Sequence, residues 1–339
     1  MISKTTKSSR NWLLTIIACL ITALASFALS DYCHKNSGKS EKQQVKRSRA
    51  HIHSLRIQDY RFTKPLLMAE LDTEDDDLSA IKSEVFSQIN RAKSTGQLSD
   101  AGVYLKDLQN GDWFTINPDG TFDPGSIMKL PILIAHLKQE EMTPGHLMRQ
   151  YRLGSPMTGM PTQTIKGKTI EVGKAYTVSE LLRFMIVESD NQANALLNQA
   201  VNPKLVQKIF SDLGIPEPSP QQTQVFLKVT DVSRFMRLLY NSTYLRNDLS
   251  EFALELLSET QFKGGIRAGA PANTPICSKF GERGQLGSDV YEIHETSIVY
   301  SENRPFLFTL MTRGNNKEQQ ESVIQSISSA VIRLMQSAI

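Results

Sequence analysis

This chain has few cysteines and a small net charge. Its 339 residues include three cysteines, Cys19, Cys33 and Cys277, which form neither an even set nor a regular spacing. This pattern argues against a disulfide scaffold and against a zinc site. The net charge of only +3 gives no reason to expect a nucleic-acid partner. One large domain, or two intertwined subdomains, with extensions fits this length, and about 250 residues can bury an ample core without cross-links.

An apolar run lies within the first 30 residues, after a short basic segment. Three basic residues within the first ten precede a nearly uncharged run from Trp12 to Ser30. That run is close to the length of about 20 residues that spans a bilayer. We therefore predict an N-terminal signal anchor, a transmembrane helix within residues 1–30. A lipoprotein-like box ends at Cys19, but the apolar run continues beyond it, so lipidation is the less favoured interpretation.

Residues 31–77 are predicted to be a charged, flexible linker. Six lysines and arginines lie between positions 34 and 49, and the last part ends in the acidic run Glu70–Asp77. Blocks of like charge are usually solvated and poorly ordered. The basic block outweighs the charge before the apolar run, and by the positive-inside tendency alone it would stay in the cytoplasm.

Beyond the linker, the pattern predicts an α+β fold. A helix over residues 78–93, capped by Asp77, would be followed by two strands around the hairpin signal Asn110-Gly111. Thr177 and Glu180 form a capping box at the start of a later helix. Helices in the middle and strands near the end then give an antiparallel sheet flanked by helices. The apolar face of the first helix would be formed by Ile81, Val85, Phe86 and Ile89.

The remaining elements are predicted from the periodicity of apolar residues. They are strands over 101–106, 113–116, 276–280, 296–300 and 306–312, and helices over 191–200, 231–240 and 318–335.

Ser126 and Lys129 form a Ser-x-x-Lys pair at a predicted helix start. The turn Phe122–Gly125 precedes Ser126, and the apolar run Leu130–Leu137 follows Lys129. The two side chains would lie one turn apart on one face, beside helix N–H groups that can stabilise an oxyanion. Lys129 would serve as a base only with a pKa lowered by burial or by a second cation. Ser79-Ala80-Ile81-Lys82 is a second match, which we interpret as a chance one.

Two further short motifs follow in order. Ser189-Asp190-Asn191 lies between two predicted helices, where polar residues alone are often caps. Lys279-Phe280-Gly281 lies on a predicted strand, and Gly281 allows close backbone approach. Lys263-Gly264-Gly265 competes with it, but the strand pattern favours Lys279. Ser-x-x-Lys, Ser-Asp-Asn and Lys-Thr-Gly are the signature set of class A β-lactamases and penicillin-binding proteins.

With these motifs, residues 78–339 resemble a class A β-lactamase domain, within the penicillin-recognising serine enzymes. Tyr176–Leu197 and Ile266–Pro271 support the resemblance. It implies a class A β-lactamase/transpeptidase-like fold, in which an α/β subdomain and an all-α subdomain enclose the site.

The resemblance also implies a role for each motif residue. Ser126 would attack a carbonyl, and Lys129 would help to take its proton. Ser189 would pass a proton to the leaving nitrogen, and Asn191 would position the substrate amide. Lys279 would support the Ser189 region and attract a substrate carboxylate. The oxyanion hole would be formed by the backbone N–H groups of Ser126 and Glu282, with Gly281 between Lys279 and Glu282.

Two departures from the family pattern affect the expected chemistry. The loop that carries the deacylating glutamate in these enzymes is short and proline-rich here, and Glu217 only begins the motif, so an exposed loop glutamate is the favoured interpretation. Loss of that base would remove assistance of roughly 10²–10⁴-fold. Phe280 replaces a hydroxyl, and Glu282 would add a negative charge near the cleft. His294 is expected to be structural, and Cys277 to lie on a buried strand.

The sequence thus predicts a serine hydrolase that acts on β-lactams or related cell-wall amides through a Ser126 acyl-enzyme. A D-Ala-D-Ala carboxypeptidase or transpeptidase-like enzyme is the first alternative, and a non-catalytic, tethered cell-wall-binding or sensor module is the second. The partners would be a small β-lactam or a peptidoglycan peptide and, through the anchor, a membrane. Because those substrates lie outside the cytoplasm, the domain is expected in the periplasm or at the cell surface. No metal or organic cofactor is expected.

Overall fold

A computed structural model of the chain describes residues 52–58, 60–71, 74, 76–159, 167–218, 224–284, 289–301 and 304–337. Its strands are β1 (Ile52–Arg56), β2 (Leu66–Leu71), β3 (Asp100–Asp107), β4 (Trp113–Ile116), β5 (Thr121–Phe122), β6 (Gln150–Arg152), β7 (Ala175–Thr177), β8 (Leu227–Lys228), β9 (Ile276–Gly284), β10 (Tyr291–Val299) and β11 (Phe306–Gly314). Its α-helices are α1 (Ser79–Ser94), α2 (Lys129–Met142), α3 (Val178–Val187), α4 (Asn191–Ala200), α5 (Pro203–Asp212), α6 (Val229–Asn241), α7 (Asn247–Ser258), α8 (Gly265–Ala268) and α9 (Lys317–Ser337).

The central sheet has five antiparallel strands in the order β4-β3-β11-β10-β9. Because side chains alternate along a strand, each strand serves two layers. One face packs its apolar residues against α1 and α9. The other face packs against a larger core that contains the middle helices. This is the α+β architecture that the sequence predicts.

Helix α2 is the centre of the helical layer. Nine consecutive residues, from Lys129 to Leu137, are buried. A helix that is apolar on all sides is buried on all sides, which explains the uninterrupted run in the sequence. The capping box at the start of α3 is confirmed, because Thr177 N donates to Glu180 Oε2 (2.7 Å) and Glu180 N donates to Thr177 Oγ1 (3.2 Å).

Helix α1 differs in detail from its prediction. A 3₁₀ turn over Asp76–Leu78 precedes it, so the residue at the N-cap is Leu78 and not Asp77. Phe86 is exposed rather than on the apolar face. The 3.6-residue period explains this, since Phe86 directly follows Val85 and points about 100° away from it.

Strands β1 and β2 form an N-terminal hairpin, which corrects the prediction of a flexible linker for the residues of those strands. β1 pairs antiparallel with β2. Leu67 and Met68 are buried in the larger core. Thr243 Oγ1, on the loop after α6, donates to the Leu67 carbonyl (2.9 Å).

The contacts of Glu70 on β2 explain why the acidic composition of this segment led to the wrong prediction of a flexible linker. The Glu70 carboxylate lies 2.9 Å from the Arg237 guanidinium and 3.2 Å from Lys106 Nζ. Tyr104 donates its hydroxyl to the same Oε1 atom (2.5 Å). A residue that counts as part of an acidic, solvated run is instead the shared partner of two buried cations.

The predicted signal anchor and the basic part of the linker lie outside the described residues. Among the helices that are described, none has both the length and the hydropathy needed to cross a membrane.

Candidate active site

Ser126 lies in a 3₁₀ turn, Gly125–Met128, that leads directly into α2. The turn is wedged against the edge strand β9. A Cβ atom on Gly281 would lie 2.3 Å from the Pro124 carbonyl, and one on Gly125, where φ is +53°, would lie 2.3 Å from the Glu282 carbonyl. Only glycine fits at either position, so both glycines fix the distance between the nucleophile turn and the strand.

Lys129 is buried at the start of α2 and reaches the segment between α3 and α4. Its Nζ atom lies 2.5 Å from the Ser189 carbonyl, 3.1 Å from Ser189 Oγ and 2.9 Å from Asn191 Oδ1. The structure therefore places the lysine of the first motif against two residues of the second.

Ser189 has a left-handed backbone with φ of +54°, a conformation that costs a non-glycine residue free energy. It lies between the last residue of α3 and Asp190, the N-cap of α4. Asp190 Oδ1 accepts from Gln192 N (2.9 Å), and its Oδ2 accepts from Ile170 N (2.9 Å). These bonds hold the connection in a shape that turns the serine hydroxyl toward the two lysines.

Lys279 approaches the same hydroxyl from β9. Its Nζ lies 3.3 Å from Ser189 Oγ and 3.2 Å from the Phe280 carbonyl, and the side chain is fully buried. Ser189 Oγ is thus flanked by two lysine amines, which brings residues from all three motifs together.

Burial of both lysines, and the charge of Lys279 beside Lys129, separate the protonation states of the two side chains. Burial, followed by the Lys279 charge, lowers the pKa of Lys129 to about 6. Burial lowers the pKa of Lys279 to about 8, against the opposing charge of Glu295. At pH 7 Lys129 is therefore mostly a neutral amine and Lys279 mostly a cation. One can accept a proton while the other attracts an anion.

Glu282 and Phe280 face away from the cleft, which corrects the sequence-based expectation for both side chains. Glu282 Oε2 lies 3.3 Å from Lys317 Nζ of α9. Phe280 stacks on Phe262, with ring centroids 3.8 Å apart. Both belong to the strand face opposite Lys279, since alternate residues point to opposite sides. The Glu282 charge and the Phe280 ring therefore belong to the layer beside α9.

Glu217 is not brought into this group. Its side chain is exposed, in the coil that follows α5. The next residues of the same loop, 219–223, lie outside the described part of the chain. The remaining candidates, Asn191 and Gly281, lie at the cleft, against Lys129 and against the nucleophile turn.

His294 and Cys277 have the structural positions that the sequence predicts. His294 is fully buried on β10, with Nε2 2.8 Å from the Asp123 carbonyl. Cys277 is buried on β9, and burial raises its pKa to about 11. The competing motifs lie elsewhere: Lys82 pairs with Glu74, and Lys263 donates to the Thr260 carbonyl.

Two acidic residues of β10 join the site without belonging to any of the three motifs. Glu292 accepts from Asp123 N, and Glu295 opposes the fall in the pKa of Lys279. Polar residues at alternate positions of a buried strand, here Glu292, His294 and Thr296, are a signal of a polar face that could have revealed the first. Within the described residues no group of three or more His, Cys, Asp or Glu side chains is arranged to hold a metal ion.

Comparisons with known proteins agree with this geometry. A sequence model described as the beta-lactamase enzyme family matches residues 84–335. Beta-lactamase VEB-1 from Pseudomonas aeruginosa is 24% identical over 238 residues, which is 65% of this chain and 79% of that protein.

Two solved structures share the fold. A PBP-A variant in an acyl-enzyme complex with penicillin G is 20% identical with a TM-score of 0.62, over 77% of this chain and 97% of that one. A beta-lactamase from Chitinophaga pinensis is 19% identical with a TM-score of 0.63, over 74% and 99%. Since the family match spans most of the sequence, the chain belongs to the beta-lactamase enzyme family and is a serine hydrolase of β-lactamase type.

Proposed function

We propose that Ser126 is the nucleophile that forms an acyl-enzyme with a β-lactam or a related cell-wall amide. The observation that carries the proposal is the placement of Ser189 Oγ between two buried lysine amines, at 3.1 Å from Lys129 and 3.3 Å from Lys279. Such an arrangement supplies a base, a proton relay and a cation within one small volume, which is what acyl transfer through a serine ester needs.

In the proposed first step the neutral amine of Lys129 takes the Ser126 proton while Oγ attacks the carbonyl carbon. The C–N bond then breaks, and the departing nitrogen takes its proton from Ser189, which is replenished from Lys129. Lys279 holds the substrate carboxylate. The developing oxyanion is stabilised by the backbone N–H groups of Ser126 and Glu282, and the close approach of β9 to the nucleophile turn supports that pairing.

A Ser126→Ala variant tests the nucleophile. It should lose turnover of nitrocefin and should gain no mass when penicillin is added, while its melting temperature stays near that of the parent. If the purified variant turned over nitrocefin as fast as the parent, Ser126 would not be the nucleophile.

We further propose that deacylation is slow, which favours a carboxypeptidase or transpeptidase-like activity as the second candidate. The exposed position of Glu217 and its incomplete motif support this. A missing base would remove roughly 10²–10⁴-fold of assistance to the attacking water.

A time course of intact mass after penicillin addition decides between the candidates. A stable adduct supports slow deacylation, whereas rapid turnover that Glu217→Gln abolishes would exclude it. If neither a penicillin nor a fluorophosphonate labels the protein, a non-catalytic binding module remains.

The substrate class is proposed from the relatives. VEB-1 is described as a beta-lactamase, and a PBP-A variant was obtained as an acyl-enzyme with penicillin G. We propose the same classes of ligand here, a β-lactam or the peptidoglycan peptide that it resembles.

The location is proposed from the sequence alone. The apolar run Trp12–Ser30 would anchor the chain, with the catalytic domain on the extracytoplasmic side. Protease added to intact spheroplasts should remove the domain, whereas protection until lysis would place it in the cytoplasm.

A further inference from the structure

Two buried side chains of β10 bind both backbone polar groups of one residue, Asp123, just before the nucleophile turn. The Asp123 N–H donates to Glu292 Oε2 (2.5 Å), and the Asp123 carbonyl accepts from His294 Nε2 (2.8 Å). Glu292 is 5% exposed and His294 is fully buried. A loop residue whose N–H and C=O are both bound by buried side chains has little freedom to shift.

The two side chains are themselves held in place. Thr312 N donates to His294 Nδ1 (3.2 Å), so the ring proton must be on Nε2, where it faces the Asp123 carbonyl. Arg313 Nε donates to Glu292 Oε1 (2.6 Å). Each contact to Asp123 is therefore supported by a second contact from β11.

Asp123 also closes the turn that follows it. Its Oδ1 accepts from Gly125 N (3.1 Å), and its Oδ2 lies 3.3 Å from Arg283 Nε. Ile127 N donates to the Pro124 carbonyl (3.1 Å). On its other side the turn meets the backbone of β9 without space for a Cβ atom. A displacement of Asp123 would therefore be passed directly to Ser126.

We propose that Glu292 and His294 are positioning residues, which hold Asp123 so that Ser126 Oγ is placed for attack. The proposal rests on the proposed function, because it gives the placement of Ser126 a purpose. It predicts that loss of the Glu292 contact slows the acylation step itself. Misplacement of a nucleophile by about 1 Å can cost about 10²-fold in rate.

The test compares Glu292→Ala with Glu292→Gln, whose single amide oxygen can accept from Asp123 N at the expense of the bond from Arg313. Saturating penicillin and intact-mass sampling give the limiting acylation rate and the half-saturating concentration. We expect Glu292→Ala to lower the limiting rate by about 10–100-fold with little change in the half-saturating concentration. Glu292→Gln should recover part of that loss. A rate in Glu292→Ala equal to that of the parent, or a Gln variant no faster than the Ala variant, would overturn the proposal.

A purely structural role is separated by a matched control. Glu70→Ala removes a half-buried acidic partner far along the chain in the N-terminal hairpin, so it should lower the melting temperature and leave the limiting acylation rate unchanged. If Glu292→Ala does not fold, Glu292→Asp retains the charge beside Arg313 but is one methylene too short to reach Asp123 N. That variant should lose acylation like the Ala variant, and parental activity in it would contradict the proposal.

Hydrogen exchange separates this inference from the proposed function. Amides within residues 121–129 should exchange faster in Glu292→Ala and in His294→Ala than in the parent, and should be unaffected in Glu70→Ala. This measurement needs no substrate. If the parent is never labelled by penicillin, the proposed function fails while the exchange data still show whether Glu292 holds the turn. Unchanged exchange would refute the positioning role even in an active enzyme.

Discussion

Two buried polar clusters in this molecule each contain two basic side chains, and they differ in what those side chains meet. In the hairpin cluster Lys106 and Arg237 share the carboxylate of Glu70. In the cleft, Lys129 and Lys279 share the neutral hydroxyl of Ser189.

The different partners give the two clusters different properties. Glu70 opposes the effects of burial and of Arg237 on the pKa of Lys106. For Lys129 the neighbouring lysine adds to the effect of burial, and the pKa falls to about 6. A shared carboxylate opposes the loss of charge that burial favours and joins parts of the fold, whereas a shared hydroxyl leaves one amine able to act as a base.

The largest effect is expected on the rate of penicillin labelling when one lysine of each cluster is replaced. Lys129→Arg retains a cation that cannot lose its proton, so the rate of penicillin labelling should fall by about 10²–10⁴-fold. The matched Lys106→Arg retains the ion pair with Glu70 and should be labelled at the parental rate. Intact-mass time courses measure both rates. Parental labelling of Lys129→Arg would show that Lys129 is not the base.

Removal of the shared carboxylate should have the opposite pattern. Glu70→Ala leaves Lys106 and Arg237 buried without their acidic partner, and breaking a buried pair in this way typically costs about 3–5 kcal/mol. Urea denaturation should show this loss while the labelling rate stays parental. A change below about 1 kcal/mol, which is typical of a surface pair, would mean that the hairpin contributes little to the stability of the domain.

The same comparison shows why one cluster was predictable from sequence and the other was not. Lys129, Ser189 and Lys279 are far apart in the sequence, but each belongs to a short motif of the family that the chain resembles. Glu70 and Arg237 are separated by 167 positions, and nothing local links them. The composition around Glu70 is that of a solvated acidic run, and only the tertiary contact reverses that interpretation.

Within the site, the sequence predicted that residues of the three motifs meet but not how they are oriented. Strand alternation from Lys279 would have placed Glu282 on the opposite face, and that argument was available without a structure. The left-handed backbone of Ser189 could not be predicted from sequence. No short motif specifies a strained conformation that the two flanking helices impose.

A smaller effect is expected on the pH dependence of the labelling rate, which tests whether Lys129 acts as the base. Below about pH 6 the amine of Lys129 becomes protonated, so the rate should fall by about tenfold for each pH unit and should level off above that pH. The ascending limb should disappear in Lys129→Arg. A labelling rate that is flat between pH 5 and 7 would contradict the assignment of Lys129 as base.

The lowered pKa of Lys129 also makes the stability of the fold depend on pH. Between about pH 6 and the ordinary lysine value, the unfolded chain binds a proton that folded Lys129 does not. Stability from this group should therefore rise with pH across that interval. Calorimetry of the parent and of Lys129→Arg over the same interval measures the difference.

The smallest effect concerns the strain at Ser189, a residue with positive φ in the cleft. Ser189→Gly and Ser189→Ala both remove the hydroxyl between the lysines, so both should lose labelling. Only glycine relieves the left-handed backbone, and Ser189→Gly should therefore be more stable than Ser189→Ala by about 1 kcal/mol in urea denaturation. If the two variants unfold at the same denaturant concentration, the cleft stores no strain at this residue. The two clusters would then differ only in the charge of the shared partner, which is a carboxylate in the hairpin and a neutral hydroxyl in the cleft. The backbone that presents that partner would be unstrained in both.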